Sequence, residues 1–345
     1  MASVSACPVP YGRARYSGCI VNRSSFWLCL LLFSIAAMPI AHAEWFGETR
    51  SKMGTRVEVQ FWSADAKKAA VLMEASMAEI DRIEESMSTF RESSQISAVN
   101  REAAVRPVTV PEELFRLVER ALDLSELTGG AFDITFDSVG QLYDFRGHQR
   151  PDDAQIAARL GSIDYHLVQT IPAERAIRFL QPGVRINLGG IAKGYTVEQV
   201  IGLLREAGVE HALATAGGDT RLLGDRRGRP WTVGIRDPDD KRGVVTRLAL
   251  SDEAISTSGD YERFFVEDGI RYHHILNPST GHSASMLRSA TVIGPDATMT
   301  DGLSTSVFVL GPERGLALID SLPDYEAIVI MPDHTVRFSS GLAAH

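Results

Sequence analysis

Cysteine is scarce in this chain of 345 residues, and all three cysteines, Cys7, Cys19 and Cys29, lie near its start. The rest of the sequence therefore excludes disulfides, cysteine metal sites and thiol nucleophiles. Positive charge is also in deficit, since 35 Lys and Arg face 44 Asp and Glu, which gives a net charge of -9. Because no basic cluster offsets this balance, the sequence argues against a nucleic-acid-binding surface.

Long hydrophobic runs are absent apart from one, FWLCLLLFSIAAMPI at residues 26–40. This run is too short for a comfortable membrane-spanning helix. Arginines without any acidic residue precede it, and Ala-His-Ala at 41–43 places small residues where a signal peptidase cuts. We predict a secretory signal peptide at residues 1–43 and an exported, periplasmic protein from residue 44. An uncleaved anchor that holds the protein at the inner membrane is the alternative.

The rest of the chain is predicted to fold as one compact α+β domain, residues 44–345. Apolar residues at helical spacing predict helices over residues 65–87, 111–129 and 190–207. Short β-like runs follow, among them ALAT, WTVGI, VVTRLAL, YHHIL, SATVI and AIVIM, without a repeating βαβ rhythm. The serine-rich segment STFRESSQISAVN is predicted to be a loop, and RDPDDKRG a charged hairpin loop.

Asp301 and Thr305, in MTDGLSTSVFVLG, are candidate ligands of a hard cation. If Thr298 or Thr300 caps a helix there, the two side chains lie four residues apart on one face. Carboxylate and hydroxyl oxygens suit Mg²⁺. The alternative is an aspartate that favours the helix dipole and a threonine bonded to its own helix.

The stretch NLGGIAKGYTVEQV places three glycines around Lys193. Gly189, Gly190 and Gly194 permit close approach by a ligand, and a helix N-terminus there offers N–H groups to anionic oxygens. The alternative is an ordinary strand-to-helix connection with an exposed lysine. Neither the Walker spacing nor the Rossmann glycine pattern is present.

A histidine pair, His273 and His274, lies within the β-like run YHHIL. Neighbours in a strand point to opposite faces, so only one of the two can face a given site. A hydrogen-bonded core histidine is the alternative to a general base.

Nine segments, in order along the chain, together resemble the ApbE-like FAD:protein FMN transferases. They are MGT, MSTFRESSQISAVN, TGGAFDIT, NLGGIAKGY, AGGD, VGIRDP, STSGDYERF, YHHILNPSTG and TDGLSTSVFVLG. The resemblance implies a T-fold-related α+β domain with a mixed, mostly antiparallel sheet and flanking helices. It also implies Mg²⁺-dependent transfer of FMN from FAD to a Thr or Ser hydroxyl of an exported or membrane-bound redox protein, with release of AMP.

The resemblance also implies roles for individual residues. The implied metal ligands are Asp301, Thr305 and the backbone carbonyl of Gly190. Within this resemblance His274 is the candidate general base for the acceptor hydroxyl, because an imidazole titrates near working pH. Asp219 and Asp260 are weaker candidates for orienting groups. The implied FAD contacts are Met53, Phe90, Ala131, Phe132, Asp133, Asn187, Lys193, Ile275 and Ser304.

One position departs from the family's pattern, because Asn187 stands where the motif usually carries an aspartate. The lost charge favours one alternative function, exported FAD binding without turnover. Hydrolysis of FAD to FMN and AMP is a second alternative, because the same site would serve water and an acceptor hydroxyl. If that charge helps to hold Mg²⁺, Asn187→Asp is expected to leave activity equal or higher at limiting Mg²⁺.

Overall fold

The computed structural model describes residues 43–240 and 242–343. The predicted signal peptide, up to residue 42, lies outside the described residues. From Ala43 onward the chain forms one unit. None of the helices in the described part of the chain combines the length and the apolar character needed to cross a membrane.

Fifteen strands are present among the described residues. Their bounds are β1 Glu44–Lys52, β2 Thr55–Ser63, β3 Val108–Thr109, β4 Val168–Ile171, β5 Ala176–Phe179, β6 Ala212–Ala216, β7 Asp219–Leu223, β8 Trp231–Arg236, β9 Val244–Leu250, β10 Ala254–Gly259, β11 Phe264–Glu267, β12 Ile270–His273, β13 Ser289–Gly294, β14 Glu326–Ile330 and β15 Val336–Phe338.

The α-helices carry the remaining regular structure. Their bounds are α1 Ala66–Met87, α2 Gln95–Glu102, α3 Glu112–Leu127, α4 Asp137–Gly140, α5 Asp153–Leu160, α6 Ala192–Glu206, α7 Ala297–Asp320 and α8 Ser340–Ala343. The three predicted helices are therefore confirmed as α1, α3 and α6. Short 3₁₀ turns occupy Ile134–Phe136, Tyr165–Leu167 and Pro172–Glu174.

An eight-stranded sheet with the order β1-β2-β6-β7-β10-β13-β14-β15 organises the domain. Its neighbouring strands pair antiparallel throughout. Three smaller sheets accompany it, β3-β5-β4 and the hairpins β8–β9 and β11–β12. The mostly antiparallel α+β fold is confirmed.

Opposite faces of the large sheet are covered by different partners, because side chains alternate along each strand. On one face, Val57 and Phe61 of β2 pack in a cluster that includes Met77 of α1 and Val197 of α6. On the other face, Leu222 and Ile255 belong to a cluster with Trp231 of the β8–β9 hairpin. The sheet face that α1 and α6 cover is the one that carries the candidate active site.

Two local predictions are wrong. The end of the serine-rich segment is not a loop, because Ser94 caps α2 by accepting a hydrogen bond from the N–H of Ser97. Neither Thr298 nor Thr300 caps α7, since Asp296 does so by accepting from the N–H of Met299. Asp296 caps α7 better than a threonine would, because the charge of its carboxylate also interacts favourably with the helix dipole.

Candidate active site

A buried ion cluster joins α6, α7 and the start of β7. The ammonium of Lys193 pairs with the carboxylate of Asp219 and lies 3.4 Å from Oδ1 of Asp301. The second oxygen of Asp301 accepts a hydrogen bond from the N–H of Gly194 at 2.9 Å. Lys193 is therefore not an exposed connector, since it links residues that lie far apart in the sequence.

Gly194 is where the two helices touch. A β carbon at this position would overlap the carbonyl oxygen of Ala297 and lie 2.6 Å from Cβ of Asp301. Only glycine fits so close a crossing. The glycine therefore fixes the carboxylate of Asp301 against the N-terminal turn of α6, where free N–H groups favour negative charge.

The glycine turn before α6 lies against α7, one helical turn beyond Asp301. A β carbon at Gly190 would be 3.5 Å from Oγ1 of Thr305 and 3.1 Å from the ring of Phe132. Asp301 and Thr305 lie on one face of α7, as their spacing predicts. The structure thus brings the three predicted metal-ligand positions, Gly190, Asp301 and Thr305, into one place.

Burial and mutual charge set the protonation of this cluster. Burial, helped by the charge of Asp219, raises the pKa of Asp301 to about 7, against the opposing effect of Lys193. For Lys193, burial lowers the pKa, but Asp219 and Asp301 outweigh it and raise the pKa overall. The lysine therefore stays charged, and this half-buried ammonium lies beside the buried side chains of Asp219 and Asp301.

The donor set fits a hard cation, because every candidate ligand is an oxygen. Within residues 43–240 and 242–343, no group of three His, Cys, Asp or Glu side chains forms a metal site. An ion here would depend on one carboxylate, one hydroxyl and a backbone carbonyl. Ser258, which sequence reasoning missed, supports this set, since its Oγ lies 3.1 Å from Oγ1 of Thr305 and 2.9 Å from Oγ of Ser304.

The two histidines have different environments. His273 ends β12, where Nε2 hydrogen-bonds the carbonyl of Ala284 at 2.7 Å and Nδ1 accepts from the N–H of Ile275 at 3.3 Å. The half-buried His274 follows the strand, and its buried Nδ1 has no hydrogen-bond partner. Burial, with the charge of Arg263, lowers the pKa of His274 to about 3. His273 is thus a satisfied core residue and His274 a neutral, unengaged imidazole.

Asp260 has a different setting from Asp219. Its Oδ1 accepts from Arg271 at 2.9 Å and its Oδ2 accepts from Arg288 at 2.8 Å. Both oxygens are therefore committed to a salt-bridge network, which gives Asp260 a structural role. Of the two candidate orienting groups, the structure joins only Asp219 to the Lys193 cluster.

The Met53–Gly54 turn between β1 and β2 borders an open surface groove that is also lined by Lys52, Asp81 and Arg91. The N–H of Met53 is held by Glu84 at 2.8 Å. Phe90 is 87% exposed, so its ring has a free face for stacking. These placements are compatible with FAD contacts.

The segment Ala131–Asp133 is buried behind the glycine turn. Oδ1 of Asp133 accepts from the N–H of Thr135 at 2.7 Å, and Oδ2 accepts from the N–H of Tyr165 at 2.9 Å. Asp133 is therefore occupied as a cap, although each carboxylate oxygen can accept more than one hydrogen bond. Ile275 and Ser304 are also buried.

Asn187 has an unexpected partner. Its Oδ1 accepts from the N–H of Gly189 at 2.8 Å, while its Nδ2 donates to the buried Asp137 at 3.0 Å. Arg185 pairs with the other oxygen of Asp137. Sequence reasoning missed Asp137, because nothing in the residues around it points to a partner 50 positions away.

These features define a class: a single α+β domain whose glycine turn and helix N-terminus enclose a buried Lys–Asp cluster beside oxygen donors. The ApbE family model matches residues 53–329. The chain belongs to the ApbE family. Its relatives are named as transferases, and the chain is an enzyme of that class.

Two relatives illustrate the similarity. The FAD:protein FMN transferase of Treponema pallidum (strain Nichols) is 32% identical over 351 residues, which cover 94% of this chain and 95% of that protein. The FAD:protein FMN transferase of Klebsiella pneumoniae (strain 342) is 33% identical over 292 residues, which cover 84% of this chain and 90% of that protein.

Solved structures agree. The ApbE protein from Thermotoga maritima is 31% identical, with a TM-score of 0.81 over 87% of this chain and 99% of that chain. The flavin transferase ApbE from Vibrio cholerae is 30% identical, with a TM-score of 0.78 over 88% of this chain and 99% of that chain.

Proposed function

We propose that this protein is an FAD:protein FMN transferase, which moves the FMN half of FAD onto a Thr or Ser hydroxyl of an acceptor protein and releases AMP. The main support is the convergence of Asp301, Lys193 and the Gly190 turn in one buried cluster. The relatives that carry this name strengthen the assignment.

The reaction is a displacement at phosphorus. The acceptor oxygen forms a bond to the FMN phosphorus, the anhydride P–O bond breaks, and AMP leaves with the electron pair. Mg²⁺ held by Asp301, Thr305 and the carbonyl of Gly190 would supply neutralisation of the phosphate charge. Lys193 holds Asp219 and Asp301 in place for this role.

His274 is proposed to take the proton of the acceptor hydroxyl. Its low pKa keeps the imidazole neutral, and its buried Nδ1 has no hydrogen-bond partner among the residues that the structure describes. A neutral ring can accept a proton, but a pKa of about 3 makes His274 a weaker base than an imidazole that titrates near working pH, which corrects the expectation from the sequence. The buried Nδ1 leaves Nε2 as the nitrogen that receives the proton.

We propose that the reaction takes place outside the cytoplasm. The apolar run at 26–40 and the small residues after it support export. The acceptor would then be an exported or membrane-bound redox protein, which gains a covalent flavin.

Purified protein incubated with FAD, Mg²⁺ and an acceptor containing a Ser-Thr-Gly-Ala-Thr segment tests the function. We expect a fluorescent acceptor that carries FMN by mass, and one AMP per FMN transferred. AMP formed in full without labelled acceptor would indicate hydrolysis instead. FAD that stays intact would indicate a binding protein.

A further inference from the structure

Every tryptophan after residue 43 belongs to one cluster at the β1 edge of the large sheet. Trp45 of β1 and Trp62 of β2 are direct partners across the two strands, with ring centroids 5.5 Å apart. Trp231, the first residue of β8, lies 5.3 Å from Trp45 between ring centroids. Trp231 is buried, whereas Trp45 and Trp62 are half-buried, so part of each of these two indoles reaches the surface.

Three arginines of the turn between β7 and β8 accompany these indoles. The guanidinium carbon of Arg226 lies 5.3 Å from the ring centroid of Trp45. The guanidinium carbon of Arg227 lies 4.7 Å from the ring centroid of Trp62. Arg229 follows in the same turn, and all three arginines are exposed. The arginine–tryptophan patch consists of Trp45, Trp62, Arg226, Arg227 and Arg229.

The turn that carries the arginines is tight. Arg227 has φ 59° and Gly228 has φ 84°, and two central residues with positive φ are the mark of a type I′ hairpin turn. The N–H of Arg226 donates to the carbonyl of Arg229 at 2.7 Å across this turn. The three positive charges are therefore held close together rather than spread along a loose loop.

No carboxylate neutralises these charges. Among residues 43–240 and 242–343, none of the three arginines has a carboxylate oxygen within 4.0 Å. The neighbouring Asp225 is engaged elsewhere, since its Oδ1 lies 3.1 Å from Nδ1 of His211 and its Oδ2 accepts from the N–H of Gly228 at 3.0 Å. Although the net charge of the chain is -9, this corner of the domain is suited to an anionic surface.

The patch lies where the chain enters the domain. Only residues 41–43 separate the apolar run at 26–40 from Glu44, and Trp45 is the second residue of β1. Three extended residues span about 10 Å. An uncleaved run would therefore hold the patch close to the lipid, and cleavage would leave the patch beside the new N-terminus.

We propose that the arginine–tryptophan patch binds the anionic headgroups of a lipid bilayer and holds the domain at the membrane surface. Guanidinium groups pair well with phosphate oxygens. Each arginine close to an anionic membrane strengthens binding by a factor of about five. Tryptophan prefers the layer between headgroups and acyl chains, where its ring is apolar and its N–H remains hydrated.

This contact would turn the candidate active site away from the lipid. β1 begins at Glu44, beside the patch, and ends at Lys52, next to the Met53–Gly54 turn. A strand of this length extends about 30 Å. β7 has the same polarity of ends, since Leu223 leads into the arginine turn and Asp219 joins the Lys193 cluster. The site and the patch therefore lie at opposite ends of the sheet, which leaves the site free for an acceptor.

Vesicle flotation tests the proposal with the protein from residue 44, since the chain from Ala43 onward forms one unit. The vesicles contain phosphatidylcholine alone or mixed with phosphatidylglycerol. The patch variant combines three substitutions, Arg226→Glu, Arg227→Glu and Arg229→Glu. The control variant changes the net charge equally at exposed arginines on α5, β5 and α7, through Arg159→Glu, Arg178→Glu and Arg314→Glu.

Tryptophan fluorescence gives a second, local measurement. Because every tryptophan after residue 43 lies in the cluster, quenching by lipids with brominated acyl chains reports on this corner of the domain alone. Near-UV circular dichroism shows whether both variants remain folded. Neither assay contains FAD or an acceptor, so the outcome does not depend on the proposed function.

We expect the wild-type protein to bind the anionic vesicles about tenfold or more tightly than the neutral ones, with its tryptophans quenched. The patch variant should lose about tenfold or more of that affinity, because three attractive charges become repulsive. The control variant should keep the wild-type affinity. FMN transfer to a short peptide in solution should be the same in all three proteins, since the patch lies far from the site.

Three results would overturn the proposal: equal binding to neutral and anionic vesicles, an equal loss of affinity in both variants, or bound protein whose tryptophans are not quenched. Soluble polyglutamate serves as a further probe. If it binds the wild-type protein and not the patch variant while the anionic vesicles bind neither, the patch recognises an acidic protein and the lipid proposal is wrong.

Discussion

Nδ2 of Asn187 donates a hydrogen bond to Oδ1 of Asp137 across 3.0 Å, next to the glycine turn of the site. Burial raises the pKa of Asp137, while Asn187 and Arg185 oppose this shift. An amide can donate to that carboxylate and a second carboxylate cannot. The asparagine is therefore matched to its partner and is not merely a weakened aspartate.

Asn187→Asp is accordingly expected to lose stability and to gain no activity at limiting Mg²⁺, contrary to the expectation from the motif alone. Two carboxylates in contact at a half-buried site should cost about 1–3 kcal/mol in the free energy of unfolding. Urea denaturation at neutral pH measures this cost.

The exchanged pair, Asn187→Asp with Asp137→Asn, is the matched control. It restores one donor and one carboxylate, so it should recover part of the lost stability, although Arg185 then faces the amide. An Asn187→Asp variant as stable as the wild type would show that the contact carries no energetic weight.

Asp301→Asn should lower Mg²⁺ affinity and reduce FMN transfer by about 100-fold or more, because it removes the one carboxylate of the donor set without changing its size. Isothermal titration with Mg²⁺ and a rate assay measure the two effects. Asp296→Asn, at the cap of the same helix, is the control and should retain both. Full Mg²⁺-dependent activity in the Asp301 variant would reject the metal assignment.

Lys193→Met should destabilise the metal-free protein by about 3–5 kcal/mol, because Asp219 and Asp301 would remain buried without their cation. Added Mg²⁺ should then raise the melting temperature more in this variant than in the wild type. Lys68→Met, at an exposed lysine of α1, is the control. An unchanged melting temperature in Lys193→Met would contradict the cluster's role.

His274 should make stability depend on pH. Its pKa is about 3 in the folded protein, against an ordinary value near 6.5, so between these values the unfolded chain binds more protons. Its contribution is therefore complete above about pH 6.5 and is lost as pH falls, by at most about 1.4 kcal/mol per unit. His274→Gln should flatten the free energy of unfolding against pH, and His282→Gln should not. Identical curves for all three proteins would contradict the neutral, half-buried imidazole.

Local signals predicted much of the fold. The period of apolar residues predicts α1 almost to the residue, because this signal acts within a few positions along the chain. The spacing of Asp301 and Thr305 likewise predicts a shared helix face.

Contacts between residues that lie far apart in the sequence were not predictable in this way. Asn187 and Asp137 meet only after α4 folds against the glycine turn, and Ser258 reaches Thr305 only through the pairing of β10 with its neighbours. A single sequence shows residue types and their spacing, but it does not show which distant side chains pack together. The resemblance to the family predicted the site residues, and the structure adds the contact of Asn187 with Asp137.

The most direct measurement of the central claim is the product balance of the wild-type protein with FAD, Mg²⁺ and an acceptor, with and without chelator. We expect one AMP and one covalent FMN on an acceptor threonine or serine for each FAD consumed. Neither product should form once the divalent ion is removed. Covalent FMN that still forms at the same rate in chelator would contradict a reaction built on the oxygens of Asp301, Thr305 and Gly190.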